Sequence, residues 1–255
     1  MENIPKIEPL TLKQMSEAIN KRIPLIFEEF SNGFEFIKNY PLSVTFFGSA
    51  RMDENDPYYI KARGLAKRIV EELRYSVLTG GGPGIMEAAN RGAYEAGGNS
   101  IGLTIDLPKE QKDNEYLTDK IGFHYFFSRK VCLSFSAEAY IFFPGGFGTL
   151  DEFLEILTLI QTNKIPLAPI ILVGTEHWKP LEEFFRNVLL KEKKINSEDL
   201  SLYTITDNED EILKMIKAAP IRIGLDYNKN SEKPTRNNSS SNGHGPISGL
   251  LKKIF

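Results

Sequence analysis

The chain has 255 residues, 41% of them hydrophobic, and a formal net charge of −3, which describes one large α/β domain with a full core. No basic stripe is present, so nucleic acid is not an expected partner, and no apolar run reaches the roughly 18 residues that would span a membrane. A single cysteine, Cys132, allows no disulfide within the sequence and fits a reducing, cytoplasmic setting; flanked by Val131 and Leu133 it reads as a buried packing thiol.

The start, Met1-Glu2-Asn3-Ile4-Pro5, lacks a basic segment followed by an apolar core, so no signal peptide is read. Residues 1–40 place apolar side chains three and four apart and read as a peripheral helical extension. From residue 41 to 227 a different rhythm follows. Ser43-Val44-Thr45-Phe46-Phe47 is a strand ending at Gly48-Ser49. A helix over 57–74 has Asp56 as its N-cap and Pro57 in its first turn. Ser76-Val77-Leu78-Thr79 is a strand that runs into Gly80-Gly81-Gly82-Pro83-Gly84. A helix over 85–96 is closed by Gly97-Gly98, and residues 100–105 form the next strand. Residues 123–126 are read as a strand and 129–136 as a helix capped by Ser128. Ala139-Tyr140-Ile141-Phe142-Phe143 is a strand, followed by Pro144-Gly145-Gly146-Phe147-Gly148-Thr149-Leu150-Asp151-Glu152 and a helix through Ile160. A strand over 169–173, a helix over 180–190, a strand over 203–206 and a helix over 209–217 complete the series. Residues 228–255 form a polar tail expected to be disordered, with a possible short helix over 247–255.

The strands are continuous apolar runs, the mark of a parallel sheet buried on both faces. The expected fold is therefore a doubly wound, Rossmann-like α/β sheet with helices on both faces, binding ligand at the carboxyl ends of its strands. Three glycine-containing turns fall on that edge. Neither glycine-rich turn carries the sixth-position glycine of the dinucleotide fingerprint, and none ends in Gly-Lys-Ser/Thr. A smaller ligand with a single phosphate remains, held by backbone N–H groups at a helix N-terminus.

Two local readings compete at the third turn. Thr149-Leu150-Asp151-Glu152 fits a capping box, in which Glu152 only serves the helix. Alternatively Asp151 serves the helix and Glu152 faces the ligand. Arg129 and Lys130, placed in a first turn after Ser128, oppose the helix dipole, which points to an anion as their reason. His124, His177 and His244 share no ligand spacing, so neither a metal nor a cofactor is expected.

Together, Gly80-Gly81-Gly82-Pro83-Gly84-Ile85-Met86-Glu87, Arg129-Lys130 and the Pro144–Glu152 motif resemble the LOG ("Lonely Guy") family, cytokinin riboside 5′-monophosphate phosphoribohydrolases often labelled lysine decarboxylases. The resemblance covers residues 40–220, in the manner of the longer bacterial members. It implies hydrolysis of the N-glycosidic bond of a nucleoside 5′-monophosphate, AMP or an N6-modified AMP, giving free base and ribose 5-phosphate. It implies Arg129 and Glu152 as the catalytic pair. It matches Lys130, Gly145, Gly146, Phe147, Gly148, Thr149 and Thr158 to ligand-contacting positions; Gly48, Ser49, Gly81, Gly82 and Asp151 are expected around the substrate from their place in the three turns. Glu110 is aligned loosely with an upstream substrate-contacting glutamate, with Glu115 as competitor. A homodimer or larger homo-oligomer is implied as well. The alternative reading is a non-catalytic nucleotide sensor or carrier on the same fold.

Overall fold

A computed structural model of the chain describes residue 9 and residues 11–106 and 113–220. The polar tail and Glu110 lie outside the described residues. Seven parallel strands form one sheet: β1 (Ser43–Phe47), β2 (Ser76–Thr79), β3 (Ser100–Ile105), β4 (Asp119–Phe123), β5 (Ala139–Phe142), β6 (Ile170–Leu172) and β7 (Thr204–Ile205). Their order across the sheet is β4-β3-β2-β1-β5-β6-β7. Every residue of β1, β2, β5 and β6 is buried, so their apolar runs are explained by helices on both faces.

Among the described residues the α-helices are α1 (Leu12–Ile37), α2 (Pro57–Arg68), α3 (Ile85–Glu95), α4 (Phe126–Ser136), α5 (Phe147–Gln161), α6 (Thr175–Phe184) and α7 (Glu209–Ala218). Helices α1, α4, α5 and α6 cover one face of the sheet around Leu133, Phe142, Phe153 and Trp178. Helices α2, α3 and α7 cover the other around Phe46, Leu65, Ile85 and Ile212. Phe153 anchors α5: its ring meets Phe142, Trp178, Phe185 and Tyr203 at centroid distances of 5.5–6.5 Å. Burying such a side chain contributes about 1.5–3 kcal/mol, enough to hold the start of α5 in place beside β5.

Asp56 caps α2 as the sequence indicates, accepting from the Tyr58 amide at 2.8 Å. The helix then loosens into a π-turn over Ile69–Leu73 and stops at Arg74, whose φ of 62° is left-handed. Gly97, at φ 68°, ends α3 in the same way.

Three expectations are corrected. The strand placed at 123–126 is β4, and Phe123 is its last residue, paired with Ile105. As an edge strand, Asp119-Lys120-Ile121-Gly122-Phe123 is largely exposed and has no apolar run to betray it. In consequence α4 starts at Phe126, not at Arg129, and its N-cap position is Tyr125 rather than Ser128. Finally, α6 begins at Thr175, ahead of the expected start at Pro180, which lies inside it; a π-turn over Phe185–Leu190 extends it. The N-terminal segment is a single helix, capped by Thr11 and Gln14, that runs through exposed Pro24.

Candidate functional site

Strand order reverses between β1 and β5, so the connections from these neighbours leave in opposite directions and open a crevice at their carboxyl ends. The turns after β1, β2 and β5 meet there and are bonded to one another. The Ser49 amide donates to the Pro144 carbonyl, and the Ile85 amide to the Ser49 carbonyl, both at 3.0 Å. The resulting cleft has a volume of about 820 Å³.

In the turn after β2, Gly80, Gly81 and Gly84 each have a packing or backbone reason. A Cβ on Gly80 would fall inside the guanidinium of Arg129 and press on Met86. Gly81 and Gly84 have φ of 74° and 71°, and a Cβ on Gly84 would collide with the backbone of Ser49 and Ala50. Below the turn lies a buried polar network. The Thr79 hydroxyl accepts from the Gly81 amide at 2.8 Å and donates to Asn90 Oδ1 at 2.6 Å. Asn114 Nδ2 donates to Asn90 Oδ1 and to the carbonyls of Gly81 and Gly82 at 3.0–3.1 Å.

The turn after β5 is built differently. Helix α5 starts at Phe147 with Gly146 at its N-cap, and no side-chain cap bond is made there. Thr149 is therefore already inside the first turn, and Glu152 in the second. The capping-box reading of Thr149 and Glu152 is overturned, because the helix begins three residues earlier than that reading needs. The first amides of α5 are left without intrahelical partners at the positive end of the helix. A Cβ on Gly145 would run into Thr149, whereas one on Gly146 or Gly148 would meet nothing within 4 Å. Those two glycines leave open space over the bare amides, the geometry that suits a phosphate.

Arg129 comes from α4 and reaches under the turn after β2. Its Nε donates to the Leu103 carbonyl at 2.7 Å and its Nη2 to the Gly80 carbonyl at 3.4 Å. Burial pulls its pKa down, and the nearby Glu152 charge works the other way. Its other three N–H donors make no hydrogen bond among the described residues. It lies in the second turn of α4, where opposition to the dipole has largely faded, so the dipole is not what makes Arg129 and Lys130 unusual. Lys130 lies 2.7 Å from Asp151 Oδ2 and 2.6 Å from Glu155 Oε2 and straps α4 to α5. Burial opposes its charge, but the two carboxylates outweigh burial and raise its pKa.

Glu152 is the outlier. Burial pushes its carboxyl up to about 7; Lys130 and Arg129 pull the other way, while Glu155 and Asp151 add to the rise. Its Oε2 is buried and has no hydrogen-bond partner among the described residues. A carboxyl in that state, in the lining of a cleft, marks a candidate functional group.

Of the residues singled out from sequence, Gly48, Ser49, Gly82, Arg129, Gly146, Phe147, Gly148, Thr149, Asp151 and Glu152 line the cleft. Gly81, Gly145 and Lys130 are not part of the lining. Thr158 is exposed, and its hydroxyl donates to the Leu154 carbonyl of its own helix, so it does not join the cleft. Glu115 is exposed and outside the lining as well. Sequence reasoning missed Met86, Thr104, Asp113 and Phe126, which also line the cleft. For Thr104 a signal existed: it lies at the carboxyl end of a strand, where such sheets bind.

Residues 86–216 match the family described as possible lysine decarboxylase. Relatives include the cytokinin riboside 5′-monophosphate phosphoribohydrolase of Rhodococcoides fascians, 26% identical over 155 residues, covering 59% of this chain and 77% of that one. A protein of the same name from Arabidopsis thaliana is 24% identical over 199 residues, covering 75% and 84%. The X-ray structure of a structural genomics target superposes with a TM-score of 0.53 at 24% identity, over 69% of this chain and 98% of that one. A molybdenum cofactor carrier protein of Chlamydomonas reinhardtii does so with a TM-score of 0.50 at 24% identity, over 69% and 96%. These likenesses establish a shared fold. With the glycine turns, Arg129 and Glu152 gathered at one cleft and the match spanning half the sequence, the chain belongs to the LOG family, the group described as possible lysine decarboxylase.

Proposed function

We propose that the protein hydrolyses the N-glycosidic bond of a nucleoside 5′-monophosphate, AMP or an N6-modified AMP, to free base and ribose 5-phosphate. The observation that carries this reading is Glu152: a buried carboxyl with an unpartnered oxygen, in the same cleft as the open amides of α5. The names of the relatives point to the same reaction.

In this reading the amides of α5, with the Thr149 side chain, hold the 5′-phosphate and fix the ribose against Glu152. Cleavage of the C–N bond builds positive charge on the sugar, which the ionised Glu152 stabilises. Water adds to the anomeric carbon as the bonding pair leaves with the base. Glu152, with a pKa of about 7, takes the proton released by water and gives it up to solvent, while the departing base takes a proton from solvent, so neutral base and ribose 5-phosphate result. Arg129 stays protonated and orients substrate with the donors it does not spend on Leu103 and Gly80.

Lysine decarboxylation fits poorly. Pyridoxal chemistry needs a lysine amine that deprotonates and reaches the cleft, and Lys130 is instead held charged between Asp151 and Glu155. Assembly as a homodimer is part of the proposal, supported by Phe126, Phe127 and Phe147, which stand exposed beside the cleft; light scattering on the purified chain tests it. The lone reduced Cys132, whose thiol burial pushes up to about 12, fits a cytoplasmic setting.

Purified protein is expected to release adenine from AMP, and Glu152→Ala to reduce release by about 10³-fold or more while the protein stays folded. Full activity in that variant would sink the assignment. Tight AMP binding by the wild-type protein without base release would favour a carrier.

A further inference from the structure

Helix α1 reaches the cleft indirectly, through the start of α4. Tyr125, at the N-cap position of α4, makes no side-chain cap bond. A carboxylate from another element instead binds the two backbone amides just ahead of the helix and the Ser128 side chain in its first turn. Glu29 of α1 places Oε1 2.6 Å from the amide of His124 and Oε2 3.2 Å from the amide of Tyr125. Its Oε2 also accepts from the Ser128 hydroxyl at 2.5 Å. A carboxylate on these donors, at the positive end of a helix, is favoured both by hydrogen bonding and by the dipole.

Two further contacts fix how α1 lies on α4. Gly33 faces Cys132 so closely that a Cβ would come within 2.5 Å of its Sγ. Phe30 and Phe34 pack on Phe127 and Phe135 at centroid distances of 6.2 and 5.7 Å. Helix α4 is thereby held in register from its first residue. The residue after Ser128 is Arg129, whose Nε must reach the Leu103 carbonyl, and the next is Lys130, which straps α4 to α5 and so to Glu152.

We propose that Glu29 is a positioning residue for the cleft, setting the placement of Arg129 by tying the entry and first turn of α4 to α1. The consequence for catalysis rests on the phosphoribohydrolase reading; the effect on Arg129 does not. Helix α1 is on this account a working part of the site rather than an appendage.

The test reads both levels. The side-chain Nε–H resonance of Arg129 in ¹⁵N-labelled full-length protein, assigned by its loss in Arg129→Lys, reports the bond to Leu103. Steady-state release of adenine from AMP reports catalysis. Glu29→Gln, of the same shape, leaves an oxygen for one amide but removes the charge. It is expected to shift and broaden the Arg129 resonance and to lower kcat about tenfold. Glu29→Ala should lower kcat by about 10–100-fold, the range for a reacting group displaced by about an ångström. Glu29→Asp, with its charge kept, should recover part of both signals, and Glu28→Ala should behave as wild type. If the folded Gln or Asp variant shows an unchanged Arg129 resonance and unchanged kcat with only a lower Tm, Glu29 is merely structural and the proposal is wrong. Should wild-type protein release no base, the functional reading fails, and the resonance alone decides the role of Glu29.

Discussion

The turns Gly80-Gly81-Gly82-Pro83-Gly84 and Pro144-Gly145-Gly146-Phe147-Gly148 each leave a buried parallel strand and enter a helix, but their glycines answer to different constraints. In the first, Gly80 clears space for the Arg129 guanidinium, and Gly81 and Gly84 take left-handed φ beneath neighbouring backbone. In the second, only Gly145 is packed, against Thr149, while Gly146 and Gly148 border empty space at the uncapped start of α5. Identical residues thus make room for a cation in one turn and border open space at a helix start in the other. A glycine-rich turn is therefore not evidence of a phosphate site until it is known what a Cβ would strike.

The contrast can be broken most forcefully at Gly80. Gly80→Ala puts a methyl group where Arg129 lies, so Arg129 must leave its bonds to Gly80 and Leu103. Base release should fall by about 100-fold, with about 1–3 kcal/mol of lost stability from overpacking. Activity close to wild type, measured on folded protein, would mean that the turn after β2 does not place Arg129.

At Glu152 the prediction concerns pH. Its carboxyl is raised from 4.5 to about 7 in the folded protein, so the folded state holds the proton over that window. Stability from this group is fully present below about pH 4.5 and is lost as pH rises through about 7. Glu152→Gln carries no charge to desolvate. It should exceed wild type in stability at pH 8 by roughly 1–3 kcal/mol, with the gap closing toward pH 5 in urea melts. A gap independent of pH would show that Glu152 is not raised. In the wild type, kcat/KM for base release should climb with pH through about 7, since the ionised carboxylate is the working form.

The smallest effect is expected at Gly148. In the first turn of α5, with nothing within 4 Å of a new Cβ, Gly148→Ala should stabilise the protein by about 0.5–1 kcal/mol. The same methyl group intrudes over the phosphate amides, so KM for AMP should rise several-fold while kcat changes little. Reduced stability with unchanged KM would place Gly148 with the packed glycines and erase the difference between the two turns.

Much of the fold was legible because the central strands announce themselves. Ser43–Phe47, Ser76–Thr79 and Ser100–Ile105 have the bounds read from sequence, since burial on both faces demands uninterrupted apolar or small residues. Asp56 was legible as a cap because its bond to the Tyr58 amide spans two residues. The edge strand β4 was displaced because half-exposed strands need no apolar run, and that error moved the start of α4 and misassigned Ser128. At the cleft, Gly146, Gly148, Arg129 and Glu152 could be named from their motif, but whether Glu152 capped a helix or faced a ligand depended on where α5 begins. Thr158 was misplaced for a related reason: position along a helix does not say which face it occupies.

Sequence alone determined the alternation of buried strands and glycine turns, and hence a parallel sheet with its binding edge at the strand ends. These follow from local rules: side-chain burial within a strand, and backbone freedom at a turn. Tertiary structure decided the rest. It set β1 beside β5, brought Arg129 beneath Gly80, left an oxygen of Glu152 buried without a described partner, and laid Glu29 of α1 on the two amides just before α4. Each of these joins residues far apart in the chain through packing that no local pattern encodes.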